Sequence, residues 1–272
     1  IDEENTLISS LPEKREITKI NDSTYTTDDI EYNKKIGLGI DIYDIQYKNL
    51  FNQNGVYKVD LVIDSILVYS FKMDRIKFSQ NHYRKIMYDY ISAIKNKRKV
   101  LKVYTPQNAN LSFLRNNDLS GIIDPTKYLN SNVSIKVSDW NKNSSYLNFK
   151  VKSSGVKEKM PTYDGIEILT NQNYTIKKNS SVIKLKKNTF YNDLLLNISY
   201  NDDTLDLGED NDPIRSSITI KIPQAISDTL ELRQSFIGRV NGKKIAYLNS
   251  RKDDSYIYTL SLIHISEPTR PI

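Results

Sequence analysis

The sequence predicts an all-β protein made of two tandem antiparallel β-sandwich domains, with one short helix or irregular crossover in the first. Three observations carry this. Ile36, Leu38, Ile40 and Ile42 alternate with residues of another kind, as do Val59, Leu61 and Ile63, so each run offers one face to a core. Turn clusters rich in Asn, Asp, Ser and Gly recur at short spacing between such runs. Leucine, isoleucine, valine and tyrosine supply the apolar content while alanine is scarce, a balance that favours strands over helices. At 272 residues the chain is long enough for two domains, each able to bury its own core.

Residues 1–33 are polar and broken up, and read as a linker or the remnant strand of an upstream domain. Within them Ile17-Thr18-Lys19-Ile20 is strand-like, and Asp22 to Asp29 is a linker or an edge hairpin. The first domain is expected over 34–152. Gly37 and Gly39 fall inside its first strand, where a missing side chain usually means a bulge or a close neighbouring backbone. Asn54-Gly55 signals a turn before the second strand, and Ile63-Asp64-Ser65-Ile66 a short turn before a third through Leu67, Tyr69 and Phe71. The three together predict a β-meander.

From His82 to Lys95, Tyr83, Ile86, Met87, Tyr90, Ile91 and Ile94 recur at three- and four-residue spacing, which predicts a short helix or crossover. Val100 to Tyr104 reads as a strand that ends at Pro106, since proline cannot donate to a ladder. Val133, Ile135 and Val137 make the next strand, Asp139-Trp140-Asn141-Lys142-Asn143 the turn, and Leu147, Phe149 and Val151 the apolar side of the closing strand. A linker follows over 153–163. A second sandwich is expected over 164–259, with strands at Ile166–Leu169, Tyr174–Ile176, Ser181–Leu185, Leu194–Tyr200 and Ile218–Pro223, and a hairpin turning at Asn241-Gly242.

The wording of the first domain is more specific than its periodicity. Ile36 to Asp44 (I-G-L-G-I-D-I-Y-D), Asn54 to Asp64 (N-G-V-Y-K-V-D-L-V-I-D) and Phe71-Lys72-Met73-Asp74 resemble the region after the catalytic domain in lysostaphin-like zinc metallopeptidases of flavobacteria and their relatives. The resemblance continues through Ser79 to Tyr83, Tyr104 to Asn108 and Val133 to Lys152, and more weakly through Val182 to Tyr200 and Ile218 to Leu248. It implies that both domains are immunoglobulin-like and that the chain belongs to the cell envelope, periplasmic or surface. It also implies that an upstream peptidase domain, with its zinc, precedes them. In bacterial immunoglobulin-like domains the last hairpin usually turns on D-x-x-G-N; here Lys142 stands at the glycine position.

The peptidases of that family hold zinc through H-x-x-x-D and H-x-H. This chain has two histidines, His82 and His264; Ile86 stands four residues after His82, and neither histidine has a partner two residues away. Three protein ligands are needed for a catalytic zinc, so no catalytic residues and no cofactor are expected within this stretch. With no cysteine, disulfides and thiolate metal sites are excluded. No apolar run reaches the roughly 18 residues of a helical membrane span.

The net charge of +6 comes from lysines scattered among acidic residues, without the basic stripe and reading element of a nucleic-acid module. Its densest patch, around Lys97, Arg98 and Lys99, reads as a solvated loop or helix end, or as a contact for an anionic wall polymer or phospholipid. Trp140, the sole tryptophan, is either folded back onto the sandwich end or an exposed anchor for a partner or glycan. Asp202, Asp203, Asp206, Asp210 and Asp212 crowd one segment and are the candidate Ca²⁺ ligands, although their spacing is not that of an EF-hand and acidic residues concentrated in a connecting loop are usually just solvated. Nothing suggests the facing carboxylate pair of a glycosidase.

Leu260 to Arg270 resembles the translation of a sequencing adapter, so 260–272 are expected to lie outside the fold and His264 carries no weight. With no initiator Met at Ile1, the chain reads as a piece of a longer protein. The function expected is the non-catalytic accessory region of an envelope peptidoglycan metallopeptidase, partnered by its peptidase domain and by wall polymer or an envelope protein. The alternative is a stand-alone, adhesin-like binding protein with tandem immunoglobulin-like domains.

Overall fold

The computed structural model describes residues 13–45, 53–75, 77–78, 86–106, 111, 114, 120–155, 165–201, 204–208, 213–223, 237–241, 244–253 and 256–259. The fold is all-β, with one short α-helix among the described residues. The chain divides into two compact units, Ile1–Pro161 and Thr162–Ile272.

In the first unit the strands are β1 (Thr18–Lys19), β2 (Thr24–Thr26), β3 (Ile30–Glu31), β4 (Ile36–Gly37), β5 (Gly39–Asp41), β6 (Asp44–Ile45) and β7 (Gln53–Asn54). They are followed by β8 (Lys58–Ile63), β9 (Ile66–Lys72), helix α1 (Tyr90–Lys95), β10 (Val100–Lys102), β11 (Ile122–Ile123), β12 (Asn130–Ser138) and β13 (Ser144–Lys152). A seven-stranded sheet runs β1-β2-β13-β12-β8-β9, with β3 also paired to β13. Its centre is the long β12–β13 hairpin, in register from Asn130↔Lys152 to Ser138↔Ser144, onto which β8 pairs antiparallel.

Alternation fixes which face of this sheet is buried. Val59, Leu61 and Ile63, Val133, Ile135 and Val137, and Phe149 and Val151 all enter one core. There they meet Ile40, Leu101, Val103 and Ile123 from the short ladders β5–β10 and β4–β11. Each such side chain withdrawn from water contributes about 1.5–3 kcal/mol. A bulge between Leu61 and Val62 shifts the β8–β9 register, and the Val68 carbonyl there accepts from the Gly121 N–H at 2.9 Å.

The β8–β9 hairpin turns on Asp64 (φ 46°) and Ser65 (φ 70°), the paired left-handed residues of a tight turn whose twist suits the strands. The Asp64 carboxylate accepts the Asn132 N–H at 2.8 Å, which anchors the turn to the start of β12. The Ser131 side chain and the Asn132 N–H together hold that carboxyl below its ordinary value.

The expected meander does not form. Ile36–Asp41 breaks at Leu38 into β4 and β5, which pair with β11 and β10 rather than with β8. Alternation assigns a buried face but not a neighbour, and the stretch between Asp41 and Lys58 carries its own small ladder, β6–β7. Asn54 sits in that ladder, so Asn54-Gly55 does not close a hairpin onto β8. The two glycines answer a packing need: a Cβ at Gly37 would stand 2.5 Å from the Tyr104 ring, and one at Gly39 2.7 Å from Val100.

The described part of residues 1–33 adds to the sheet instead of leading away from it. β2 and β3 run parallel to β13, at Thr24↔Tyr146 to Thr26↔Asn148 and Val151↔Ile30 to Lys152↔Glu31, and β1 folds back on β2 as an edge hairpin. An open edge of β13 would present unpaired backbone groups, and this short polar hairpin covers it. Among the described residues the predicted helix is represented by α1, which starts where the Asp89 side chain accepts the Ser92 N–H at 2.7 Å. The earlier part of that expectation, 82–85 with His82, lies outside the described residues, while Ile86 and Met87 are buried.

In the second unit the strands are β14 (Ile166–Ile168), β15 (Tyr174–Lys178), β16 (Ser181–Leu185), β17 (Leu194–Leu196), β18 (Ile198–Asn201) and β19 (Thr204–Leu207). After them come β20 (Thr219–Pro223), β21 (Gly238–Asn241), β22 (Lys244–Tyr247), β23 (Ser250–Lys252) and β24 (Tyr256–Thr259). A five-stranded sheet runs β15-β16-β20-β24-β23, accompanied by the ladders β14–β17, β18–β19 and β21–β22. Ile183, Leu185, Leu196 and Ile218 are its most deeply buried apolar residues. The run Leu194–Tyr200 breaks at Asn197, and residues 260–272 lie outside the described residues.

Two consequences are measurable. Gly37→Ala forces its methyl against the Tyr104 ring and lowers stability by about 1–3 kcal/mol in urea unfolding. Asp64, with its folded pKa lowered, stabilises fully above the unfolded carboxylate value near 3.9 and loses that contribution as pH falls through the lower folded value. Asp64→Asn therefore flattens the acid limb of the stability–pH profile and leaves its neutral region nearly level.

Candidate functional site

The face of the seven-stranded sheet opposite the core is polar, and the register orders it into rows. One row reads Tyr146, Lys136, Asp60 and Ser70 across β13, β12, β8 and β9; the next reads Ser144, Ser138, Lys58 and Lys72. In the first row Lys136 Nζ lies 5.6 Å from the centre of the Tyr146 ring. Asp60 is only 8% exposed, and its two oxygens accept from Lys58 Nζ at 2.6 Å and Ser70 Oγ at 2.7 Å. That carboxylate is fully engaged in holding two strands together. In the second row the Ser138 and Ser144 hydroxyls bond each other at 2.9 Å.

Beyond that second row the β12–β13 turn lifts Trp140 off the sheet. Asp139 shapes the turn: its carboxylate accepts the Asn143 N–H at 2.8 Å and the Asn143 side-chain amide at 2.7 Å. Its backbone N–H donates to the Asn143 carbonyl at 3.1 Å. Lys142, at the position where glycine is usual, adopts φ 70°. The backbone geometry of the turn is therefore kept and the lysine carries the strain of a left-handed residue.

Trp140 is only partly folded back onto the sandwich end. It leans on Tyr57, with ring centres 4.7 Å apart at 70°, and remains 69% exposed. Tyr57 is fixed in turn. Its hydroxyl donates to the Asp74 carboxylate, and Lys72 Nζ sits 5.4 Å from its ring centre while bonding Asp74 at 2.8 Å. Asp74, and after it Tyr57, raise the Lys72 pKa. The result is a corner at one end of the sheet, with Trp140 as its open aromatic face. Tyr57, Lys72 and Asp74 were not singled out from sequence. The signal was present in Phe71-Lys72-Met73-Asp74, whose polar members close β9 level with Tyr57.

The predicted cations of the first unit lie elsewhere on it. Lys97, Arg98 and Lys99 are exposed where α1 ends. Lys97 takes the left-handed position (φ 54°) after the Asn96 cap, and the N–H groups of Asn96 and Arg98 both donate to the Ser92 carbonyl at 3.1 Å. Arg98 also reaches Asp41 at 3.5 Å. This is helix termination, with cations beside the carbonyl end.

Of the acidic cluster only Asp206 is described; Asp202, Asp203, Asp210 and Asp212 lie outside the described residues. Asp206 is on a strand, not a loop, because Thr204-Leu205-Asp206-Leu207 alternates and pairs with β18 at Ser199↔Asp206. Among the described residues no group of three or more His, Asp or Glu is placed to hold a metal ion. His264 is also outside them.

Fold and corner together define an all-β scaffold that presents a fixed aromatic surface. No family model, curated protein or solved structure matches the chain.

Two substitutions in the turn have opposite signs. Lys142→Gly raises stability by about 0.5–1 kcal/mol, the strain relieved exceeding the extra chain entropy. Asp139→Ala lowers it by about 1 kcal/mol per lost net hydrogen bond. Urea midpoints of the two variants against the parent check both.

Proposed function

We propose that this chain is the non-catalytic accessory β-region of a cell-envelope peptidoglycan metallopeptidase, where it docks or positions an upstream zinc peptidase domain at the wall. The observation that carries the docking role is the Trp140 corner: a large aromatic face kept 69% exposed by a strained, hydrogen-bonded turn. Solvated apolar area held in one pose gains free energy when a partner covers it, and little of that gain is spent on ordering. The link to a peptidase and to the envelope rests on the resemblance of Ile36 to Lys152. Wall polymer or an envelope protein is the partner class, and no helix among the described residues is long and apolar enough to cross a membrane.

The test is sedimentation of the purified protein with isolated peptidoglycan sacculi. Co-sedimentation that saturates with protein concentration is expected; a protein that stays in the supernatant at all sacculus concentrations contradicts wall docking.

A further inference from the structure

We infer that the Trp140 corner binds a pyranose glycan strand, with the C–H face of one sugar ring laid on the indole. This rests on the docking reading above and names the chemistry of the ligand.

The surroundings of the ring decide the class of ligand. Anchors of protein–protein contacts cluster with one another in well-packed, fully desolvated pockets. Here the residues that follow Trp140, Asn141, Lys142 and Asn143, are exposed and polar. The sheet beneath ends in Ser138, Ser144, Lys58 and Lys72. Of the exposed apolar residues beside the same sheet, Ile66, Leu67 and Leu129 lie by register at its opposite end, and Ile17 and Ile20 lie on the β1–β2 hairpin beyond β13, on the side away from Tyr57. The corner therefore offers an apolar plate with hydrophilic groups beside it.

A pyranose matches that pattern. Its axial C–H bonds form a weakly electropositive, apolar face that suits the electron-rich face of an indole. Its ring hydroxyls point outward to the hydrophilic side, where amide and ammonium groups stand. Preorganisation completes the argument: Tyr57 is packed against the indole and is itself held by Asp74 and Lys72, so little side-chain entropy remains to be lost on binding.

Trp140 is the only tryptophan in the chain, so intrinsic tryptophan emission reports this corner alone. The probes are soluble glycan strands freed of peptide by amidase treatment of sacculi, and the released stem peptides as the second arm. The expected result is a saturable blue shift with glycan strands and none with stem peptides. Retention of Trp140→Ala on intact sacculi should fall about tenfold or more, while Trp140→Phe keeps part of it. Far-UV circular dichroism and the urea midpoint confirm that both variants fold.

Unchanged emission with glycan, together with parental retention of Trp140→Ala, overturns the glycan assignment. Docking then survives only if the parent protein still co-sediments, and both readings fall if it does not. A shift with stem peptides alone, or one produced by raising protein concentration without sugar, also overturns the assignment. The first would make the ligand a peptide and the second another copy of this chain.

Discussion

The β12–β13 hairpin is the interaction on which the rest of the first unit depends. Its uninterrupted register, Asn130↔Lys152 to Ser138↔Ser144, gives β8 an edge on one side and β2 and β3 an edge on the other. A slip of one residue would turn Val133, Ile135, Val137, Phe149 and Val151 to solvent and bring Lys136 and Lys150 into the core. The Asp139 carboxylate and the left-handed Lys142 determine where that hairpin folds back. They thereby set the core register and the pose of Trp140 with the same few atoms.

Fold class was legible because a half-buried strand writes its face into the sequence at every second residue. Val59, Leu61 and Ile63 on one strand, and Leu147, Phe149 and Val151 on another, turned inward as the alternation requires. Pairing was less legible. Nothing in Ile36–Ile42 says that it meets Val100–Lys102 and Ile122–Ile123 from distant sequence rather than its neighbour β8. Short polar strands were hidden for a related reason. Thr24-Tyr25-Thr26 owes its extended form to the edge of β13, a tertiary cause that overrides weak local preference.

The site was half legible. Trp140 stood out as a single aromatic in a polar turn, but its setting comes from β8 and β9, more than sixty residues earlier, through Tyr57, Lys72 and Asp74. The glycine-free turn was the reverse case: Lys142 looked like a departure in sequence and proves to hold the left-handed backbone geometry regardless. Gly37 was expected to mark a bulge or a close neighbouring backbone, and what crowds it is a side chain, the Tyr104 ring, which local sequence does not reveal. That ring is half-buried, and its partial burial, with Asp89 nearby, pushes its phenol up to about 12.

The central claim is that distant strands hold Trp140 in one orientation against Tyr57 while its outer face stays in water. The most direct test is a nuclear Overhauser experiment on the single indole, whose resonances need no assignment among competitors. The account predicts cross-peaks from the indole to the Tyr57 ring protons, together with ready hydrogen exchange of the indole N–H. An indole that shows contacts only to its sequence neighbours, or contacts that average over several orientations, would contradict it.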